Sequence, residues 1–148
     1  MEYLIERVNE DNYALFDAML RWRETGEEQR ADAQCVTADV RTALQNPNLY
    51  VYAARVQGRY VGWLSAVYMP KVSKWRGRGH VYVDELWVAP PFQRRGLGRA
   101  LLGKADELAQ QLNAWGVRLY VNVENPGAKQ LYECCGYRAD GQAFFMEK

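Results

Sequence analysis

The stretch VAPPFQRRGLGRALLGKADEL, from Val88 to Leu108, joins a β-branched apolar run to a run with helical spacing. The first N–H groups of a helix have no partner within the helix, and the helix dipole adds about half a positive charge there. Gly96 and Gly98 leave the backbone bare enough for an anion to approach. Three arginines add positive charge: Arg94, Arg95 and Arg99. The junction predicts either a phosphate cradle or a tight strand-to-helix turn, with nearly equal weight.

Two familiar phosphate-binding loops do not match this junction. A P-loop requires Gly-Lys-Ser/Thr, and no such triplet follows Gly98. A dinucleotide fingerprint requires a third small residue three places after the second glycine, where this chain has Leu101.

Composition and charge narrow the class of protein. The chain has 148 residues and a net charge of +1, so nothing global indicates nucleic acid or an anionic membrane as a partner. No apolar run reaches the ~20 residues of a membrane span. The opening MEYLIERVNEDN lacks the features of a signal peptide. Three cysteines do not make a disulfide framework, which favours reduced thiols and a cytoplasmic location.

Hydrophobic periodicity predicts a single α/β domain over residues 1–148, with the order β-α-α-β-β-β-α-β-α-β. The predicted strands cover residues 3–8, two segments of 49–69 around Gln57-Gly58, 80–88, 117–123 and 137–148. The predicted helices cover residues near 15–22, 36–44, 97–112 and 125–136. Hairpins make strands two to four antiparallel, and the helix crossover makes strands four and five parallel. The predicted sheet is therefore mixed.

Three motifs in order resemble the GNAT superfamily of N-acetyltransferases. Gln93-Arg94-Arg95-Gly96-Leu97-Gly98 matches the acetyl-CoA-binding motif Gln/Arg-x-x-Gly-x-Gly/Ala of that family. The preceding VDELWVAP looks like the family's fourth strand, and NPGAKQLYECCGY, from Asn125 to Tyr137, is similar to its signature Asn-x-x-Ala-x-x-Leu-Tyr-x-x-x-Gly-Phe/Tyr. The close match runs from about Tyr82 to Tyr137.

The resemblance implies a fold, a cofactor and a set of binding residues. It implies a GNAT-like twisted mixed sheet of six to seven strands with about four helices, whose fourth and fifth strands splay apart around the pantetheine arm of acetyl-CoA. A homodimer is a family-level expectation. The residues expected to bind acetyl-CoA (CoA) are Leu86, Trp87, Val88, Gln93, Arg94, Arg95, Gly96, Leu97, Gly98, Arg99, Asn125 and Tyr132. No metal ligands are expected.

The catalytic candidates combine the resemblance with strand alternation. Tyr132 matches the family tyrosine that protonates the leaving thiolate, and the alternative is a tyrosine that only packs on the sheet. Alternation places Asp84 on the face of His80 and Tyr82, and Glu85 on the other, unless a bulge shifts the phase. The resemblance ranks Asp84 first and Glu85 second as the base; either is almost equally an anchor for the substrate ammonium or part of a structural ion pair.

Three further positions are less favoured as catalytic residues. His80 is the only histidine, and an inert role is the more common one. Some family members place a glutamate on the fifth strand, where this chain has Tyr120. The adjacent Cys134 and Cys135 favour buried packing over a covalent mechanism.

The acceptor is expected to be the primary amine of a small molecule or peptide. Basic residues before the fourth strand are candidates to meet an acceptor carboxylate or phosphate: Lys71, Lys74, Arg76 and Arg78. Glu27 and Glu28 are candidates to meet a polyamine. Two alternatives remain open, a non-catalytic acetyl-CoA sensor and a plain α/β interaction domain. Tyr132 argues against a sensor, because sensing needs no general acid.

Overall fold

The computed structural model describes residues 1–72 and 77–148. In these residues the chain forms five strands, β1 (Leu4–Arg7), β2 (Leu49–Val56), β3 (Arg59–Met69), β4 (His80–Val88) and β5 (Val117–Leu119). It also forms four α-helices, α1 (Tyr13–Thr25), α2 (Ala38–Leu44), α3 (Leu97–Gln111) and α4 (Pro126–Cys134). Single 3₁₀ turns cover Ala33–Cys35 and Pro90–Phe92.

The strands form one mixed sheet in the order β1-β2-β3-β4-β5. The first four strands are antiparallel neighbours, and β5 pairs with β4 in parallel. The predicted parallel pair is therefore confirmed. It is short, because pairing runs only from Val81 opposite Val117 to Val83 opposite Leu119. Beyond Val83, β4 continues to Val88 without β5 beside it.

The prediction of six to seven strands is wrong for the described residues. The predicted closing strand, residues 137–148, has no regular secondary structure, and Phe144 in it is 95% exposed. The fifth strand is also shorter than the predicted span of 117–123. A strand is stabilised by hydrogen bonds to a neighbouring strand, and residues 120–123 and 137–148 pair with no strand of the described sheet.

Two buried clusters pack against the sheet, and β3 contributes alternate residues to each. Leu64 and Ala66 pack into the cluster that contains α3. Trp63 packs into the cluster that contains Phe16 and Met19 of α1. Because successive side chains of a strand point to opposite faces, α3 and α1 cover opposite faces of the sheet.

We expect the α3 cluster to dominate stability. Leu101 is fully buried there, so Leu101→Ala removes its contacts and leaves a cavity, at a cost of about 2–5 kcal/mol in the free energy of unfolding. The matched control is Leu4→Ala, because Leu4 is 57% exposed. Urea unfolding of the two variants checks this: equal midpoints would contradict the assignment of the core.

Among the described residues, no helix has the length and hydropathy needed to span a bilayer.

Candidate active site

The segment between β4 and α3 turns sharply before the helix begins. Arg94 has a φ of 60° and Gly96 a φ of 84°, both in the left-handed region. Leu97 begins the helix, and the Ala100 amide makes the first helical hydrogen bond, to the Gly96 carbonyl at 3.0 Å. Within residues 1–72 and 77–148, no acceptor pairs with the backbone amides from Arg94 to Arg99. These amides are therefore available to an anion.

Gly96 and Gly98 lack a side chain for different structural reasons. A Cβ built on Gly96 meets no atom within 4 Å, so the space over its left-handed backbone is open. A Cβ built on Gly98 comes within 3.0 Å of the Leu131 side chain on α4. The absence of a side chain at Gly98 therefore lets the start of α3 pack closely against α4.

Gln93 and Trp87 use their side chains within the protein. Gln93 Nε2 donates to the Val88 carbonyl at 2.9 Å, which ties the turn to the end of β4. The Trp87 ring lies 5.2 Å from that of Trp63 and 6.1 Å from that of Trp22 on α1. Because the Trp87 side chain packs against a helix, only the backbone of Trp87 is free to contact a ligand.

The end of β4 presents backbone amides on its open side. The Ala89 amide donates to the Val61 carbonyl of β3 at 2.8 Å. Because the antiparallel ladder alternates, the amides of Leu86 and Val88 face away from β3. They lie beyond the last pair of β4 and β5, so an extended ligand can add to this edge of β4 as a further strand would.

A β-bulge at Asp84 overturns the predicted alternation along β4. Ser65 of β3 pairs with Glu85 while Ala66 pairs with Val83, which leaves Asp84 as the extra residue. Val83 belongs to the α3 cluster, whereas Glu85 bonds to Arg23 of α1. The expectation that Glu85 lies on the face opposite to Tyr82 is therefore wrong, because the bulge shifts the phase by one residue.

Asp84 lies exposed beside an aromatic pair where β4 and β5 separate. The rings of Tyr82 and Tyr120 are 5.9 Å apart and edge-on. Burial, and then the Asp84 carboxylate, raise the pKa of Tyr82. Among the described residues no cation forms an ion pair with Asp84, whereas Glu85 pairs with Arg23. Of the two predicted bases, Asp84 is the one with an uncommitted carboxylate.

Tyr132 is half-buried on α4. Asn125 caps this helix by accepting from the Ala128 amide at 3.1 Å, as its residue type predicts. The Tyr132 ring lies 5.9 Å from that of Tyr137, and burial raises the pKa of Tyr132 above its ordinary value of 10.0. The hydroxyl therefore keeps its proton at neutral pH. Tyr132, Leu86 and Val88 all pack against the α3 cluster.

His80 lies at the other end of β4 from the turn. Burial, and then Arg118 and Lys71, lower the pKa of His80, so the ring is neutral at pH 7. Its Nδ1 is buried and has no hydrogen-bond partner in the described parts of the chain. Over residues 1–72 and 77–148, no group of His, Cys, Asp and Glu has the arrangement of a metal site.

Two side chains that were predicted to contact the acceptor substrate instead bind other groups of the protein. Glu28 binds Arg59 through both carboxylate oxygens, at 2.5 and 2.7 Å. Arg78 donates to the carbonyls of Asn113 and Ala114 and stacks on Trp115. Lys71 and Glu27 are exposed. Lys74 and Arg76 lie outside the described residues.

Sequence reasoning missed Arg23 as a neighbour of the site. It lies in the last turn of α1, and its Nη1 donates to Glu85 Oε1 at 3.3 Å. Nothing in the local pattern of the helix marks this exposed arginine as different from its neighbours. The one available signal is the family resemblance, which places the stretch RWRETGEEQRAD, residues 21–32, among the segments that build an acceptor pocket.

Solved structures of acetyltransferases share this fold. AAC(6')-Iy, solved with the bisubstrate analogue CoA-S-monomethyl-acetylneamine, matches with a TM-score of 0.81 and 16% identity over 100% of this chain and 99% of that one. The aminoglycoside acetyltransferase HMB0005 from an uncultured soil metagenomic sample gives a TM-score of 0.79 and 24% identity, over 100% of this chain and 99% of that one. At these identities the likeness is one of fold.

The chain belongs to the Acetyltransferase (GNAT) family, whose model matches residues 9–137. This confirms the resemblance carried by the three sequence motifs.

Curated relatives match over parts of their length. The uncharacterized N-acetyltransferase YhfO of Bacillus subtilis is 29% identical over 76% of this chain and 74% of its own. An uncharacterized N-acetyltransferase of Methanocaldococcus jannaschii is 35% identical over 58% of this chain and 38% of its own. The spermidine N(1)-acetyltransferase of Vibrio cholerae is 40% identical over 42% of this chain and 38% of its own. The chain thus spans well under half the length of the last two.

Proposed function

We propose that this protein transfers the acetyl group of acetyl-CoA to a primary amine by direct attack in a ternary complex. One observation carries the proposal: the amides from Arg94 to Arg99, which have no acceptor within the described residues, follow the open end of β4 in the chain. Leu86 and Val88 of that strand and Tyr132 of α4 all pack against the α3 cluster. Membership of the GNAT family supports the choice of donor.

The residues at the site fit the parts of acetyl-CoA. The amides and arginines from Arg94 to Arg99 would hold the diphosphate at the positive end of α3. The outward amides of Leu86 and Val88 would hold the pantetheine arm through the hydrogen bonds that β5 does not make. Asn125, besides capping α4, would contact the coenzyme through the remaining capacity of its amide. When bound, acetyl-CoA supplies an activated thioester.

Asp84 is assigned as the base. An alkyl ammonium with a pKa of ~10.4 must lose a proton before it attacks, which costs about 4–5 kcal/mol at pH 7. Asp84 has an uncommitted carboxylate where the parallel strands separate, and it accepts this proton, directly or through water. The neutral amine nitrogen would then form a bond to the acetyl carbon as the carbon–sulfur bond breaks, and it would release its second proton to solvent.

Tyr132 is assigned as the acid. A thiol with a pKa of ~8.5 leaves as a thiolate at a cost of about 2 kcal/mol at pH 7, and a proton donor removes that cost. Burial keeps the Tyr132 hydroxyl protonated at this pH. Its proton goes to the departing sulfur.

Direct attack is favoured over an acyl-cysteine route. Burial raises the pKa of the Cys135 thiol, which lowers its thiolate fraction. His80 lies on β4 at the end away from the turn and is not placed to activate it.

Thiol release from acetyl-CoA, measured across a panel of primary amines, tests the proposal. We expect amine-dependent release together with a rise in melting temperature on adding CoA. Thermal stabilisation by CoA without turnover on any amine would indicate the sensor function instead.

We expect Asp84→Asn to lower kcat/KM by about 10²-fold or more, because the acceptor of the amine proton is lost. Loss of the base should also change the acidic limb of the pH–rate profile relative to the wild type. The control is Asp39→Asn, in the first turn of α2. The pH–rate profile is the measurement, and an unchanged acidic limb would reduce Asp84 to an anchor.

A further inference from the structure

We infer that Arg23 and Glu85 form the acceptor subsite, and that it takes an amine that also carries a carboxylate, such as an amino acid. This inference rests on the proposed acetyl transfer and names its substrate class.

The bulge at Asp84 places this charged pair next to the proposed chemistry. By turning Glu85 to the α1 face, it lets Arg23 reach across from the end of α1 and donate at 3.3 Å. Glu85 directly precedes Leu86, whose outward amide is assigned to the pantetheine arm. Glu85, and the Arg23 guanidinium that contacts it, therefore lie beside the residue assigned to the pantetheine arm.

Two tryptophan rings, one buried and one partly buried, lie beneath Arg23. Its guanidinium carbon lies 5.2 Å from the centroid of the Trp63 ring, and Trp63 is in turn 5.2 Å from Trp87. Trp63 is completely buried, yet its Nε1 has no acceptor within the described residues. Stacking holds the plane of a guanidinium fixed while its edges stay free to bind.

The pair is poorly explained as a stabilising contact. Both side chains are 47% exposed, and a single N···O contact of 3.3 Å joins them. Exposed ion pairs of this kind add little to stability. A guanidinium has five N–H donors, and Glu85 uses one of those of Arg23.

The charged groups that the Arg23–Glu85 pair leaves without a partner determine which acceptor the subsite would bind. Arg23 retains unused donors that suit a carboxylate, and the neighbouring Asp84 carboxylate has no ion-pair partner among the described residues. An amine with a carboxylate satisfies both, whereas a polyamine leaves Arg23 unsatisfied and adds repulsion. Of the two candidates for a polyamine, Glu28 is already bound to Arg59, and Glu27 is exposed.

The test compares amino acids with their decarboxylated amines in steady-state acetylation by the full chain. The pairs are L-lysine and cadaverine, L-ornithine and putrescine, L-leucine and 3-methylbutylamine, and L-phenylalanine and phenethylamine; L-leucinamide removes the charge while keeping the shape. The readout is the ratio of kcat/KM within each pair, corrected for the fraction of neutral amine. We expect a ratio of about tenfold or more in favour of the carboxylate for at least one pair.

Variants of Arg23 test whether this residue causes the kcat/KM ratio between an amino acid and its decarboxylated amine. Arg23→Met should bring it to about one, and Arg23→Lys, which keeps the charge but loses the fork, should reduce it. Arg21→Met is the matched control on the same helix, because Arg21 pairs with Asp17 instead of Glu85, and it should keep the wild-type ratio. Acetylation without a carboxylate preference, or with one that survives Arg23→Met, overturns the subsite and leaves acetyl transfer standing. If no amine turns over while CoA still raises the melting temperature, both proposals fail.

Discussion

Tyr132→Phe is expected to lower kcat by about 10²-fold or more, because the departing thiolate loses its proton donor. Binding of acetyl-CoA should persist, since the ring stays packed and only the hydroxyl is removed. Burial raises the pKa of Tyr132 above its ordinary value, so the wild-type acid should keep its proton and remain active through neutral pH. Single-turnover acetylation and the CoA-induced rise in melting temperature measure the two effects separately.

The neighbouring Tyr137 supplies a matched control. Its ring contacts that of Tyr132, and its buried hydroxyl has no hydrogen-bond partner within the described residues. Tyr137→Phe should therefore leave kcat near the wild-type value without loss of stability. A Tyr132→Phe enzyme as fast as the wild type would remove this tyrosine from its role as the acid.

Gly96→Ala is expected to weaken acetyl-CoA binding by about tenfold or more, which corresponds to about 1.4 kcal/mol or more. Gly96 has a φ of 84° and open space where its Cβ would lie. An alanine there is strained by about 1–2 kcal/mol, and its methyl group occupies the space that the diphosphate would enter. Calorimetric titration with CoA measures the loss of affinity, and urea unfolding measures the strain.

Gly103→Ala separates the effect of the turn from that of losing a glycine. Gly103 lies inside α3, its φ is not positive, and a Cβ there meets no atom within 4 Å. The alanine should stabilise the helix by about 1 kcal/mol and leave CoA binding unchanged. Equal CoA affinities for Gly96→Ala and the wild type would show that the turn is only a structural connection.

Local features of the chain were predictable from sequence because their causes are local. The helical spacing of apolar residues from Leu97 onward predicted a helix that begins where α3 does, since this periodicity depends only on nearby residues. Asn125 caps α4, and asparagine is among the residue types that cap helices best. The parallel arrangement of β4 and β5 followed from the helix between them.

Features set by distant partners were not predictable. The bulge at Asp84 depends on how β4 pairs with Ser65 and Ala66, which the alternation of β4 alone does not contain. The contact of Arg23 with Glu85 joins residues 62 positions apart. The expected closing strand failed because residues 137–148 have no neighbouring strand in the structure. Among the candidate site residues, the role of Tyr132 came from family resemblance, and the structure adds only its burial and neighbours.

Heteronuclear NMR of backbone amides, titrated separately with CoA and with pantetheine, tests the central claim most directly. Pantetheine lacks the diphosphate, so it should shift only the amides of Leu86 and Val88, whereas CoA should also shift those from Arg94 to Arg99. If CoA leaves the amides from Arg94 to Arg99 unmoved and shifts resonances elsewhere, the diphosphate does not bind at the start of α3 and the account is wrong.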